Sequence, residues 1–143
     1  MNKVVINNCY GRFSLSVEGL KRYWELKDPT KKLYFYDWIG LDTWVRSIDE
    51  SHFDICLSID LGDSISEEEV DKKLVNENYV DRYDFSRHDP ILIQVVEELG
   101  DVANGELAQL KVVTIDSDSY RIDEYDGAES VITPEMERYI KIK

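Results

Sequence analysis

LKVVTIDSDSYRIDEYDGAESVIT, residues 110–133, is the stretch whose reading decides the fold. Leu110–Ile115 is a β-branched apolar run, Asp116–Ser119 is a cluster of turn-forming residues, and Tyr120–Tyr125 runs back. Asp126-Gly127 is a two-residue hairpin signal, and Ser130–Thr133 follows as the next strand. Tight turns of this kind join antiparallel neighbours, whereas parallel strands need long crossovers.

Working outward, Lys3–Asn7 reads as a short buried strand and Asn8 to Leu15 as a structured loop. Ser16 is a helix N-cap, with Val17, Leu20 and Trp24 on one face, and Asp28-Pro29 stops that helix. Leu33–Trp38 is strand-like, and Thr43–Ile48 suits either a strand or a helical turn. Phe53, Ile55, Leu57 and Ile59 alternate with polar or small residues, the period of a strand. Ser66 and Glu69 predict a capping box for a helix to about Leu74, with residues 75–86 an extended loop.

Asp89-Pro90 predicts a helix start, and Ile91, Val95, Leu99 and Val102 carry its apolar face towards Asn104-Gly105, with Gly100 making the last turn irregular. Thr133-Pro134 opens a last short helix. Helices set between hairpins, without regular βαβ alternation, predict an α+β fold. We expect one domain over residues 1–143, with about three helices and a mixed, mostly antiparallel sheet in which the first strand can lie parallel in the middle.

The 143 residues hold 30 Asp and Glu against 17 Lys and Arg, a net charge of −13, and the acidity is uneven. Residues 1–36 carry seven basic and three acidic side chains, whereas residues 37–129 carry seven basic and 25 acidic. Such a field repels nucleic acid, anionic membrane and phosphorylated substrates, and attracts basic protein surfaces. The opening apolar run is too short for a signal peptide, and nothing approaches the ~18 apolar residues of a membrane helix, so a cytoplasmic protein is expected. Cys9 and Cys56 form no disulfide framework.

Three stretches carry a family resemblance. They are Ile6-Asn7-Asn8-Cys9-Tyr10-Gly11-Arg12-Phe13-Ser14-Leu15-Ser16; Arg87 and Asp89-Pro90 through Val95-Val96-Glu97-Glu98-Leu99-Gly100 to Ala103-Asn104-Gly105; and Leu110-Lys111-Val112-Val113 with Ile122-Asp123-Glu124-Tyr125-Asp126-Gly127. Together they resemble a family of small phage- and prophage-encoded proteins. Its members often have Gly-Gly-Phe where this chain has Gly11-Arg12-Phe13, and Pro where it has Asp116. The resemblance implies an accessory or anti-defence factor in the bacterial host cytoplasm, and no particular chemistry.

The basic N-terminal loop is the one donor-rich region of an acidic chain. Asn8, Tyr10, Arg12, Ser14 and Arg87 are the candidate ligand-binding residues, with Arg82 as a further source of charge and the start of the first helix as an anion site. Gly11 alone makes neither a phosphate-cradling loop nor a dinucleotide fingerprint. Cys9 with His52 or His88 would be a nucleophile and base only if the fold brought them together. Asp81, Asp84, His88 and Asp89 would need the same convergence to hold a cation, and Asp116–Arg121 departs from a calcium loop at its fifth and sixth positions. The sequence assigns no catalytic residue, metal or cofactor.

Two functions follow as expectations. The first is a non-enzymatic inhibitor that mimics a nucleic-acid backbone. Asp63, Glu67, Glu68, Asp81, Asp84, Asp123, Glu124, Asp126 and Glu129 would meet a host protein with a basic, nucleic-acid-binding surface. The second is a protein that sequesters a nucleotide-like small molecule on the Asn7–Ser16 loop.

Overall fold

A computed structural model describes residues 1–48 and 52–136. The order of elements is β1 (Asn2–Asn7), α1 (Val17–Lys27), β2 (Tyr34–Trp38), β3 (Thr43–Arg46), β4 (Ile55–Leu57), β5 (Ser64–Ser66), α2 (Lys72–Glu77), α3 (Pro90–Leu99), β6 (Leu110–Ile115), β7 (Arg121–Tyr125) and β8 (Ala128–Ile132). The fold is α+β, and every strand pair is antiparallel. β1 pairs with β6, β7 with β8, and the order β4-β2-β3-β5 makes a four-stranded sheet. The first strand is therefore not parallel to a neighbour: its partner Leu110–Ile115 runs against it from Asn2↔Ile115 to Asn7↔Leu110.

β1 is apolar without alternation because both of its faces are covered. Val5 faces a core with Leu15, Leu20, Leu92 and Val95, while Val4 and Ile6 face a smaller core with Ile115 and Val131. Each such side chain fully removed from water contributes roughly 1.5–3 kcal/mol. Ser16 caps α1 by accepting from the Gly19 N–H, but the buried face runs through Val17, Leu20 and Tyr23, and Trp24 is only half buried beneath Lys31. The Tyr23 hydroxyl donates to Asp89 at 2.5 Å, and Asp89 also caps α3 by accepting from Ile91 N–H, so one carboxylate joins the two helices. Burial first, then that hydrogen bond, pushes the Tyr23 hydroxyl pKa up. On the solvent side of the same pair, the Arg22 guanidinium holds the Glu98 carboxyl down at about 2.

Several sequence expectations change. The strand over residues 53–59 shrinks to Ile55–Leu57, and Phe53, Cys56 and Leu57 are its buried members, so the alternation did not mark its faces. Ser66 does bond Glu69, through its hydroxyl and through the Glu69 N–H, but this closes a single turn. The helix starts one turn later, where Asp71 accepts from Lys73 and Leu74, so Glu67, Glu68 and Glu69 precede it and do not form its first turn. α3 ends at Leu99 because Gly100 turns to φ +56°, and a 3-10 turn over Gly100–Ala103 follows. Of the last expected helix, residues 134–136 are helical and the remainder lies outside the described residues. No helix among the described residues is long and apolar enough to cross a membrane.

At the β7–β8 turn Asp126 and Gly127 have φ of +50° and +88°, the left-handed pair that a two-residue hairpin needs. Gly127 also lies against the N-terminal loop, where a Cβ would stand 1.6 Å from the Gly11 carbonyl oxygen. Gly127→Ala is therefore expected to cost roughly 2–4 kcal/mol in urea denaturation, from strain and overpacking together. Gly40→Ala, at φ +82° with nothing within 4 Å of its Cβ, is the control and should cost less.

Candidate functional site

The Asn8–Ser16 loop is an extended ladder against residues 103–109. Asn8 N–H donates to Gln109, Arg12 N–H to Leu107, Gly105 N–H to Ser14 and Ser16 N–H to Ala103. At the start of α1, expected to be an anion site, the Ser16 N–H is spent in this way. Gly19 N–H is taken by the Ser16 hydroxyl, which itself donates to Val102, and Val17 and Gly19 are buried. The helix start binds its own chain.

The side chains of the ladder lead instead to a cleft of about 240 Å³ whose lining includes Arg12, Ser14, His52, Phe53, Arg82 and Tyr83. The Arg12 guanidinium stacks 3.6 Å from the centre of the Tyr83 ring. Arg82 lies 4.2 Å from the Phe53 ring centre and donates to the Phe53 carbonyl at 2.8 Å. Among the described residues neither arginine has a carboxylate within ion-pair distance. Behind the Arg12–Tyr83 stack lies a second, more open cleft of about 450 Å³, which Arg87, Glu124 and Glu129 also line.

Of the five candidate ligand residues, Arg12, Ser14 and Arg87 line these clefts, and Asn8 and Tyr10 do not. Asn8 is exposed beside the ladder, and Tyr10 is 75% exposed against the edge of Tyr125. Ser14 is buried, with its hydroxyl where a Cβ on Gly105 would fall. Arg87 is not a free cation: its guanidinium grips Glu129 through both Nη atoms and stacks 3.7 Å from the Phe13 ring centre.

Glu129 has to be withdrawn from the expected partner surface, since its side chain is 8% exposed and its Oε1 also accepts from Asn7 N–H. Glu67 accepts from Trp44 Nε1, Asp81 from Tyr83 N–H and Asp63 from Arg46 Nε. Glu68, Asp84, Asp123, Glu124 and Asp126 are exposed. The hairpin acids and those near Asp63 belong to different sheets.

Cys9 meets neither histidine. Its thiol points at Asn7 Oδ1 and the Leu107 carbonyl, while His88 is hydrogen-bonded to the Tyr120 hydroxyl. Burial pushes the Cys56 thiol pKa up to about 12, which leaves it inert as a nucleophile. The Asp81–Asp89 set is likewise dispersed, with Asp89 spent on α3 and Tyr23. His52 lies on the first cleft's rim, hydrogen-bonded to Glu106 at 2.7 Å, and that bond foremost raises its pKa.

Comparison of the chain with protein-family models, curated proteins and solved structures returns no match. The geometry must therefore carry the functional reading.

Arg82 carried only a secondary expectation from sequence, and Phe53, Tyr83, His52 and Glu106 carried none as ligand residues. They come from three separate segments, with no shared spacing to betray them. Arg87 and Glu129 are 42 residues apart and both largely buried. Glu129→Ala should therefore destabilise by about 3–5 kcal/mol in chemical denaturation, because it strands a buried guanidinium and the Asn7 N–H. Arg87→Met together with Glu129→Leu should recover much of that loss.

Proposed function

We propose that this protein is a non-enzymatic binder of a small anionic, nucleotide-like molecule, held in the cleft between Arg12 and Arg82. One observation carries the reading. In a chain of net charge −13, two guanidiniums border one cleft with no carboxylate partner among the described residues, each stacked on an aromatic ring. Elsewhere the same chain pairs its arginines: Arg22 with Glu25 and Glu98, Arg46 with Asp60 and Asp63, Arg87 with Glu129. Guanidinium forks suit phosphate oxygens, and the Tyr83 and Phe53 rings on which the two guanidiniums stack hold them in place for such a group. The second cleft, which shares Arg12 and Tyr83 with the first, has about 450 Å³, the size of small-molecule sites. Taken with the resemblance of its sequence to phage-encoded proteins, such a binder would be an accessory factor that sequesters a signalling molecule in a bacterial host.

Calorimetry and thermal melting against a panel of mono-, di- and cyclic nucleotides test this. A ligand at a hundred times its Kd stabilises by about 2.7 kcal/mol, a rise of several degrees in Tm. Arg12→Ala is expected to leave the unliganded Tm within a degree or two and to weaken binding at least tenfold, with Arg82→Ala weakening it too. No shift with any phosphorylated compound sinks the reading.

A second reading is favoured by the β7–β8 hairpin. Asp123, Glu124 and Asp126 surround Tyr125, which is 72% exposed and meets Tyr10 edge to face. Exposed aromatics ringed by carboxylates suit a host protein with a basic, nucleic-acid-binding surface. Affinity capture from host lysate should then weaken steeply as salt is raised, and the triple neutralisation Asp123→Asn, Glu124→Gln, Asp126→Asn should abolish it. Capture insensitive to both speaks against mimicry.

A further inference from the structure

Asp37, near the end of β2, and Asp54, just before β4, oppose one another. The β2–β4 register pairs Tyr36 with Ile55, and one further step sets Asp37 across from Asp54. Like charges in that position repel and destabilise a sheet. The backbone fixes them there all the same, because Asp54 Oδ2 accepts from Trp38 N–H at 2.7 Å and Asp54 N–H donates to the Tyr36 carbonyl at 2.9 Å. His52 then reaches over both, with Nε2 3.6 Å from Asp37 Oδ1 and 3.4 Å from Asp54 Oδ1.

These separations are too long for good hydrogen bonds. They are the separations of ligands sharing an ion: two donors each about 2.1 Å from one centre, at a tetrahedral angle, stand about 3.4 Å apart. All three donor atoms lie within 4.8 Å of one another, the one such group of three among the described residues. Two further features point the same way. Asp37 Oδ1 is buried and has no hydrogen-bond partner. On the far side of the ring, Nδ1 is 2.7 Å from Glu106 Oε1, the carboxylate–imidazole arrangement that fixes the tautomer and turns the Nε2 lone pair towards a metal.

We propose that Asp37, His52 and Asp54 form a divalent cation site, with Glu106 as the positioning residue behind the imidazole. One imidazole nitrogen and two carboxylate oxygens select a first-row ion such as Mn2+ or Zn2+ over Mg2+ or Ca2+, which prefer oxygen-only shells. His52 and Asp54 are 48% and 38% exposed, which leaves positions for water or an incoming ligand. His52 and Glu106 also line the cleft that holds Arg12 and Arg82, so the cation borders the site proposed for the anion. The inference stands without that reading, because it is measured with the metal alone.

The test is titration of the full chain with Mn2+, without nucleotide, followed by electron paramagnetic resonance. The expected result is one saturable Mn2+ per chain, with magnetic coupling to a single histidine nitrogen, not displaced by equimolar Mg2+ or Ca2+. Asp37→Asn and His52→Gln should weaken it at least tenfold with Tm retained, and Glu106→Gln by about tenfold, the usual loss of an outer-shell partner. Several weakly held ions without nitrogen coupling would mean diffuse binding to an acidic surface and would overturn the site. So would a Kd unchanged in His52→Gln. If any substitution unfolds the chain, the nitrogen coupling in the unsubstituted protein still decides.

Discussion

The fold depends on how the free edge of β1 is closed. β6 satisfies one side of that strand, and its other side would present open donors to any passing chain. Val5 N–H instead donates to the Arg87 carbonyl at 2.8 Å, and Asn7 N–H to the Glu129 carboxylate at 2.7 Å. The same two residues are then locked by their own ion pair. Asn7, wholly buried, ties in the rest: its amide donates to the Cys9 and Gly127 carbonyls and accepts from Gln109 N–H. Strand, N-terminal loop, hairpin and the segment before α3 are thus held at one polar knot. Each of its groups is costly to bury alone and is satisfied by another.

That knot also explains where the charge goes. Acidic side chains far outnumber basic ones, yet many have fixed structural duties. Asp71 and Asp89 cap helices, Asp28 and Asp81 close turns on nearby N–H groups, and Glu98 and Glu129 hold arginines. What is left for other molecules is smaller than the net charge suggests and lies on separate sheets. Against it, the cleft with Arg12 and Arg82 is the conspicuous local reversal. A field that repels anions at long range can still hold one where two guanidiniums, shielded by aromatic rings, reach it directly.

Local signals were legible in the residues themselves. Ser16, Asp89-Pro90 and Asp126-Gly127 act through neighbours two or three positions away, and each marks its element where the structure has it. Where two local signals compete, reading order fails: Ser66 and Asp71 both offer caps, and the helix follows the second. Period also misleads when a strand is three residues long, as with Ile55–Leu57, since packing of the flanking chain then decides which side chains are buried. The candidate ligand residues were half legible for the same reason. Arg12 and Ser14 were flagged by their place in a donor-rich loop, but the loop spends its backbone on residues 103–109, and only the side chains remain for a ligand.

The sequence by itself determined the α+β class, the starts of α1 and α3, the β7–β8 hairpin and the uneven charge, because caps, turns and apolar runs are short-range physics. It did not determine that Leu110–Ile115 pairs with β1 and not with the strand that follows it. Tertiary structure alone decided which charges are free. Arg87 and Glu129, Tyr23 and Asp89, and the meeting of Asp37, His52 and Asp54 are pairings across strand registers and helix contacts. No spacing along the chain encodes such pairings. They arise only when burial of the two faces of β1 brings distant segments together and each polar group entering with them has to find a partner.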